Sequence, residues 1–442
     1  MSFKKPNKVL INTIGPWLDK GESGILISMA AILREYYPNL EITVSSSTFK
    51  LTEIDKEQYS KYSLEVVPGI FNNFQELLIK IKKLNYRSVK IVIASLYLSI
   101  LLISSLTWAL IYRYLKIDLK LKNQKILKKY AESDWILVCG GQNIIHVNYF
   151  PLIPLFEILF SKILQKKIML YSQSMGPFLH RYSKLLICWI LNRTDLITTR
   201  ESISKDTLID MGVNVPVFVT ADAAFTLPAI SKQESISKLK DDCNLSETEL
   251  NIAITAIPWD FPKEPNLKKK NEMYENYIDS LAKSADSLIE RFNAHIIFFP
   301  QVIIPKLKND IPVSIKIYNK IKNKSNVSIL KKDYSPEELK GMYGCMDLLL
   351  GTRFHSCIFA LSMGVPTLAI EYDGHKAYGI MKLLGLENFV IEIEKISYKS
   401  IQQKIQQLIR NKEDLKRKII SNVKILKNAS EKNMLLTQKY LN

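Results

Sequence analysis

Short apolar runs alternate along this chain with longer stretches of amphipathic spacing, and the alternation occurs twice. In the first half, Lys8–Ile14, Glu41–Ser45, Leu64–Pro68, Asp134–Cys139, Ile168–Ser172, Leu196–Thr199 and Val215–Val219 read as strands. Helical spacing covers Ile25–Tyr37, stopped by Pro38, and His180–Asn192. In the second half, Asn251–Ala256, His295–Pro300, Val327–Leu330, Asp347–Gly351 and Pro366–Ile370 read as strands, and a Lys/Gln/Ile-rich helical tail runs from Lys399 to the C terminus. Near-continuous apolar strands, each followed by a helix, predict parallel sheets covered on both faces. Residues 231–249 are polar and poor in apolar periodicity, which marks them as a linker. The expected fold is therefore α/β, with two Rossmann-like parallel-sheet domains facing a cleft in a GT-B-like arrangement. The domains would span 1–230 and 250–442, with ligands bound at the carboxyl ends of the strands.

One segment breaks the pattern. Ile91–Tyr112 carries no charge over 22 residues and is flanked by Lys90, Arg113 and Lys116. That is long enough to span a bilayer as a helix. A simple span would put the strands before and after it on opposite sides of a membrane, whereas the first domain needs them in one sheet. Three placements follow: an interfacial helix or hairpin, a buried helix, and a true span, with the topology favouring the first.

Composition narrows the possibilities further. A chain of 442 residues is long enough for two sizeable cores. Met1–Lys8 is short and polar and leads straight into a strand, so no signal peptide is expected. The five cysteines fall without a Cys-x-x-Cys pair and read as reduced thiols of a cytosolic protein. A formal charge of +18 favours anionic partners such as an acidic membrane surface or a phosphorylated substrate. Nucleic acid is not expected, since zinc-finger spacing and basic runs interleaved with aromatics are both missing. Metal-ligand spacing and an Asp-x-Asp motif are missing too, and no metal or cofactor is expected.

Candidate chemistry collects where the strands end. Gly140-Gly141 follows a strand and serves either a tight turn or a close backbone approach to a ligand. The Gln173-Ser174-Met175-Gly176-Pro177 turn is either punctuation at Gly176-Pro177 or a place where Gln173 and Ser174, at the strand tip, contact a ligand. Arg200 stands where a strand gives way to a helix, a position suited to a carboxylate or phosphate or to a surface pair with Glu201. Asp222 either caps a turn or faces a ligand. His146 follows the Gly140-Gly141 turn within reach of the cleft. The richest stretch is Met346–Leu384. There Gly351-Thr352-Arg353-Phe354-His355-Ser356 opens one helix, and Glu371-Tyr372, followed by His375-Lys376, opens the next. Cations at the positive end of a helix are locally unfavourable unless an anion offsets them, so Arg353, His355, His375 and Lys376 together predict an anion site.

The ordered set Gly140-Gly141, Gln173–Pro177, Arg200-Glu201-Ser202, Asp222–Phe225, Arg353-Phe354-His355 and Gly364-Val365-Pro366, followed by Glu371-Tyr372 and Lys376, resembles the polysaccharide pyruvyl transferase family, including its colanic-acid type, over most of the chain from the Gly21-Glu22 turn to about Leu386. The Ile91–Tyr112 segment is a departure that the chemistry does not need. The resemblance implies transfer of a pyruvyl group from phosphoenolpyruvate to two hydroxyls of a sugar. It implies that Arg200 and Arg353 clamp the donor, that His355 binds phosphate or protonates the methylene carbon, and that Asp222 or Glu371 takes a hydroxyl proton. Gln173, Ser174, Gly176, Ser356, Tyr372, His375 and Lys376 complete the expected substrate-binding set. The acceptor, possibly lipid-linked, would lie on the first domain near Gly21, Glu22, Gly140, Gly141 and His146, with the enzyme cytoplasmic and held at the inner face of the membrane. A nucleotide-sugar glycosyltransferase of the same fold and an inactive membrane-associated scaffold in polysaccharide assembly are the alternatives.

Overall fold

The computed structural model describes residues 5–46, 51–81, 86–144, 152–178, 180–243, 245, 250–305, 308–372 and 374–442. The chain divides into two units, each built on its own parallel sheet. The first holds residues 1–17, 25–223 and 429–442; the second holds 18–24 and 224–428.

The first unit's strands are β1 (Lys8–Asn12), β2 (Glu41–Ser46), β3 (Glu65–Pro68), β4 (Trp135–Val138), β5 (Gly141–Ile144), β6 (Lys167–Met175), β7 (Leu196–Thr199) and β8 (Val217–Val219). They lie in the order β3-β2-β1-β4-β6-β7-β8, with β5 paired onto β6. In the middle of the sheet Val9 pairs with Ile42 on one side and Trp135 on the other. The helices are α1 (Lys20–Tyr36), α2 (Glu53–Ser60), α3 (Asn72–Ile81), α4 (Arg87–Leu115), α5 (Gln124–Glu132), α6 (Leu152–Ile163), α7 (Arg181–Leu191) and α8 (Ser202–Asp210). One core layer joins residues of β1, β4, β6 and β7 to α3 through α8.

The hydrophobic segment is α4, and the structure gives it two faces. Leu101, Ser105, Trp108 and Ala109 form a buried stripe, tied down by Trp108 Nε1 donating to Asp118 (3.1 Å) and Asn123 Nδ2 donating to Ser105 (3.1 Å). The opposite stripe faces outward.

The second unit repeats the plan with β9 (Asn251–Thr255), β10 (His295–Phe298), a small hairpin of β11 (Ile303–Ile304) and β12 (Lys308–Asn309), β13 (Val327–Ile329), β14 (Leu348–Gly351), β15 (Thr367–Glu371) and β16 (Val390–Glu392). The sheet order is β13-β10-β9-β14-β15-β16, parallel throughout. Its helices are α9 (Lys232–Cys243), α10 (Leu267–Phe292), α11 (Asp310–Lys320), α12 (Pro336–Tyr343), α13 (Phe354–Ser362), α14 (Lys376–Leu383), α15 (Tyr398–Arg410) and α16 (Lys412–Leu441). α12 starts where its sequence dictates: Ser335 and Glu338 form a capping box, with Pro336 in the first turn.

The α/β class and the two parallel sheets match the sequence expectation, whereas the domain boundaries differ. Residues 231–249 are not a plain linker, because Lys232–Cys243 is a helix that buries Ser235, Leu239 and Cys243 and packs against α12. Its buried face holds a serine and a cysteine at helical spacing, which hides the amphipathic signal. The helical tail is α15 and α16, and its last residues leave the second unit. Met434, Leu436 and Leu441 are buried in the first unit, where Thr220 donates to Asn433 Oδ1 (3.0 Å). The residues expected as a turn at 173–175 instead extend β6, and Gly141 opens β5.

Candidate active site

In the second unit, the apolar run of β14 stops at Gly351 and α13 begins after Arg353, its N-cap residue. Thr255, at the end of the neighbouring β9, holds this turn: its hydroxyl accepts from the amides of Thr352 (2.9 Å) and Arg353 (3.1 Å) and pairs with Ser356 Oγ (2.9 Å). Tyr277 adds a hydroxyl pair with Thr352 (2.9 Å). Ser356 is fully buried and also donates to the Arg353 carbonyl, so it shapes the turn from within.

The Arg353 guanidinium is met by Asp310, the first residue of α11. Nε lies 3.2 and 2.9 Å from the two carboxylate oxygens and Nη2 lies 2.5 Å from one of them. Asp310 is itself fixed by the amides of Gln301 (3.0 Å) and Val302 (2.9 Å). Burial opposes the Arg353 charge, but Asp310 outweighs it and holds the group above its ordinary pKa. The side chain is 12% exposed, and Nη1 is the edge without a hydrogen-bond partner among the described residues. The cation that the sequence leaves without an offsetting charge thus has one inside the protein, and its remaining edge is directed rather than floppy.

His355 sits one residue into α13 against Gly21. A Cβ placed on Gly21 would lie 2.2 Å from His355 Nδ1 and 2.5 Å from its Cβ, so only glycine allows this approach. Gly21 and Glu22 were expected on the acceptor side; the structure puts both in the second unit, in the first turn of α1, beside His355. The segment is anchored there by Lys20 N donating to Gln301 O (3.1 Å) and Ile303 N to Leu18 O (3.0 Å). Lys20 is 1% exposed and ion-pairs with Asp333; burial lowers its pKa more than Asp333, Asp19 and Glu338 raise it.

At the end of β15, Glu371 accepts from the Tyr378 amide (3.0 Å), and burial lifts its carboxyl above the usual range. Tyr372 packs edge-on against Trp259, ring centroids 4.9 Å apart. Lys376 Nζ lies 5.0 Å from the Tyr372 ring and 6.0 Å from the Phe354 ring, which connects the start of α14 to the start of α13. His375 is the N-cap residue of α14.

The first unit gathers its candidates into a closed network. Arg200, 1% exposed, donates through Nη1 to Asp222 (2.5 Å) and through Nε to Ser174 (2.6 Å), and Glu201 lies 3.9 Å away. Ser174 in turn donates to Glu201 (3.0 Å). Gln173 Nε2 caps the carbonyl of Cys139 (2.5 Å) and is wholly buried. Gly140 is buried against Ile25 and the Tyr171 carbonyl, Gly141 has a φ of +146°, and Gly176 precedes the cis Pro177. The expected direct grip of Arg200 on a donor, and the expected action of Asp222 as a base, both meet a salt bridge shut away from solvent. Each would have to leave the other first. His146 lies outside the described residues.

Asp310, Thr255 and Tyr277, which hold the Thr352-Arg353 turn, and Lys20, next to Gly21, are absent from the sequence expectation. Only Asp310 carried a local signal: it follows Asn309, whose side chain caps α11.

Known proteins resemble this chain at two levels. The Erwinia amylovora amylovoran biosynthesis protein AmsJ is 24% identical over 302 residues, covering 67% of this chain and 70% of that protein. Among solved structures, the UDP-GlcNAc 2-epimerase of Neisseria meningitidis bound to UDP-GlcNAc superposes with a TM-score of 0.57 at 16% identity, covering 98% of this chain and 100% of that one. A glycosyltransferase from Rickettsia africae gives a TM-score of 0.58 at 11% identity, covering 99% of each chain. At these identities the structures establish a shared GT-B type of fold and nothing about substrates. The sequence pattern described as polysaccharide pyruvyl transferase matches residues 20–374, a span that opens at Lys20-Gly21 and closes just beyond Glu371-Tyr372. On that match the chain belongs to the polysaccharide pyruvyl transferase family and is a transferase acting in pyruvyl transfer to polysaccharide.

Proposed function

We propose that the donor is phosphoenolpyruvate, bound at the β14–α13 turn, and that the acceptor is a sugar of a cell-surface polysaccharide or its lipid-linked precursor. The observation that supports this best is Arg353: a buried guanidinium locked by Asp310 with one edge left over, in the same turn as His355 and as Phe354, whose ring lies 6.0 Å from Lys376 Nζ. A small, dense anion needs convergent cations and few apolar contacts. In this assignment Arg353 and Lys376 take the carboxylate and phosphate, with His375 and Tyr372 flanking them. His355 binds phosphate or delivers a proton to the methylene carbon. That proton converts the methylene to a methyl group and leaves C2 electrophilic. One sugar hydroxyl adds at C2, the second displaces phosphate, and the two hydroxyl protons account for the one gained by carbon and the one leaving with phosphate. Glu371 suits the base role, because burial raises its affinity for a proton. Asp222 is instead engaged by Arg200, which serves as a positioning residue for Ser174. No metal or cofactor enters this scheme. The acceptor is proposed to be presented at the inner face of the membrane.

Thermal-shift titration tests the donor. Phosphoenolpyruvate should stabilise the protein, by about 2.7 kcal/mol at a hundredfold excess over Kd, and Arg353→Ala should abolish the shift. Stabilisation by a nucleotide sugar alone, lost in Arg353→Ala, would overturn the assignment in favour of glycosyl transfer.

A further inference from the structure

The outward stripe of α4 is made of Val89, Val92, Leu96, Ile100, Ile103 and Leu110, all exposed. A soluble helix with one buried face ordinarily turns charge outward; this one is apolar on both. α6 packs against both α4 and α7 in the same core layer, and α7 repeats the anomaly with Tyr182, Leu185, Leu186 and Trp189 exposed. An apolar surface of this kind on two neighbouring helices marks an interaction site.

We infer that α4 and α7 together form a monotopic docking surface for a bilayer containing anionic lipid, lying in the plane of the interface rather than crossing it. The inner stripe of α4 is engaged with its own domain through Trp108–Asp118, Asn123–Ser105 and Arg113 Nη1 to the Ile163 carbonyl (3.1 Å), so the helix does not stand free to span. The occupant follows from charge and from the rim. Neither helix contains Asp or Glu, while Lys90, Arg113, Lys116, Arg181, Lys184 and Arg193 lie on or beside them. Cations also stack on aromatic rings at the edges: Arg193 Cζ is 3.4 Å from the Trp189 centroid, Arg113 4.9 Å from Tyr114, and Lys116 Nζ 5.8 Å from Tyr112. Aromatic rings paired with Lys or Arg around an apolar patch match the headgroup layer of an anionic leaflet. This deepens the membrane-associated part of the proposed function and rests on it only for its purpose.

The test uses the full chain in flotation with vesicles of phosphatidylcholine alone or mixed with phosphatidylglycerol. Wild type should float with the anionic vesicles. Leu96→Glu/Ile103→Glu on α4 and Leu185→Glu on α7 should each cut partitioning about ten-fold, with thermal transitions and turnover of a soluble acceptor retained. Brominated lipid provides a readout that needs no folding comparison. Trp17, Trp108 and Trp135 are buried and Trp259 is a half-buried residue of the second unit, not of the first unit that carries α4 and α7, while Trp189 is 51% exposed, so wild type should be quenched and Trp189→Phe should lose most of that quenching. Unchanged flotation in both charge variants, or no quenching in wild type, would overturn the proposal. So would failure to float combined with a dimer that the charge variants convert to monomer, which would give the face to a second copy. Because turnover of soluble acceptor is read separately, failure here leaves the donor assignment standing.

Discussion

A guanidinium removed from water needs a carboxylate close by, and both arginines expected to grip the donor satisfy that need internally. Arg353 has Asp310, and Arg200 has Asp222. Their consequences differ with exposure: Arg200 is sealed, whereas Arg353 keeps one edge. Breaking a buried ion pair from one side costs about 3–5 kcal/mol, because the remaining charge is left without compensation. Asp310→Asn should therefore lower stability by about that amount and weaken donor binding, measured by denaturant unfolding and by the phosphoenolpyruvate-dependent thermal shift. Adding Arg353→Met to Asp310→Asn should recover a large part of the stability and none of the binding. A double variant no more stable than Asp310→Asn alone would show that Asp310 matters chiefly through the Gln301 and Val302 amides and not through Arg353.

At the scale of elements, the strand-to-helix turn at 351–355 was legible because everything that defines it is local: an apolar run, a glycine, then polar residues opening a helix. Its supports were not. Asp310 is 43 residues from Arg353, Thr255 is 98, and Tyr277 is 75 from Thr352, and only the sheet order brings them together. The packing of α1's first turn is hidden from the sequence for the same reason. Its sequence reads as the start of a first-half helix, which it is, while its packing partner is His355. The two glycines in that turn give a comparison within one element. A Cβ at Gly21 would strike the fixed root of His355, whereas one at Gly24 would meet flexible Phe359 and Leu227 ends at 3.1 and 3.3 Å. Gly24→Ala should be close to neutral, the small strain balanced by the helix-favouring effect of alanine, about 0.5–1 kcal/mol. Gly21→Ala should cost about 1–3 kcal/mol and reduce kcat more than ten-fold by roughly the logic of a displaced catalytic group. Equal kinetics for the two variants would remove His355 from the mechanism.

At the scale of the molecule, the strand-helix alternation conveyed the class of fold and nearly every strand, because parallel sheets write themselves as apolar runs. The partition of the chain was less visible, since contiguity in sequence is a poor guide once a helix is shared between units. Residues 18–24 belong to the second unit and 429–442 to the first, so α1 and α16 each contribute to both. The C-terminal segment is a structural part of the first unit: it buries Met434, Leu436 and Leu441, and Asn433 and Thr437 reach Thr220 and Met169. Burying each large apolar side chain is worth about 1.5–3 kcal/mol, so losing three approaches the whole stability of an ordinary domain, about 5–15 kcal/mol. A chain ended at Asn428 should therefore unfold its first unit while the second, which loses none of its residues, stays folded. Trp17, Trp108, Trp135 and Trp189 lie in the first unit and Trp259 alone in the second, so most of the emission should shift to the red, and limited proteolysis should leave a resistant piece covering 224–428. A chain ended at residue 230 should fail alike, and joining 429–442 directly after residue 223 should restore more order than extending it to 249. Native emission from the chain ended at Asn428 would mean that the first unit closes its core without the returning helix, and the boundary would then belong near residue 230 after all.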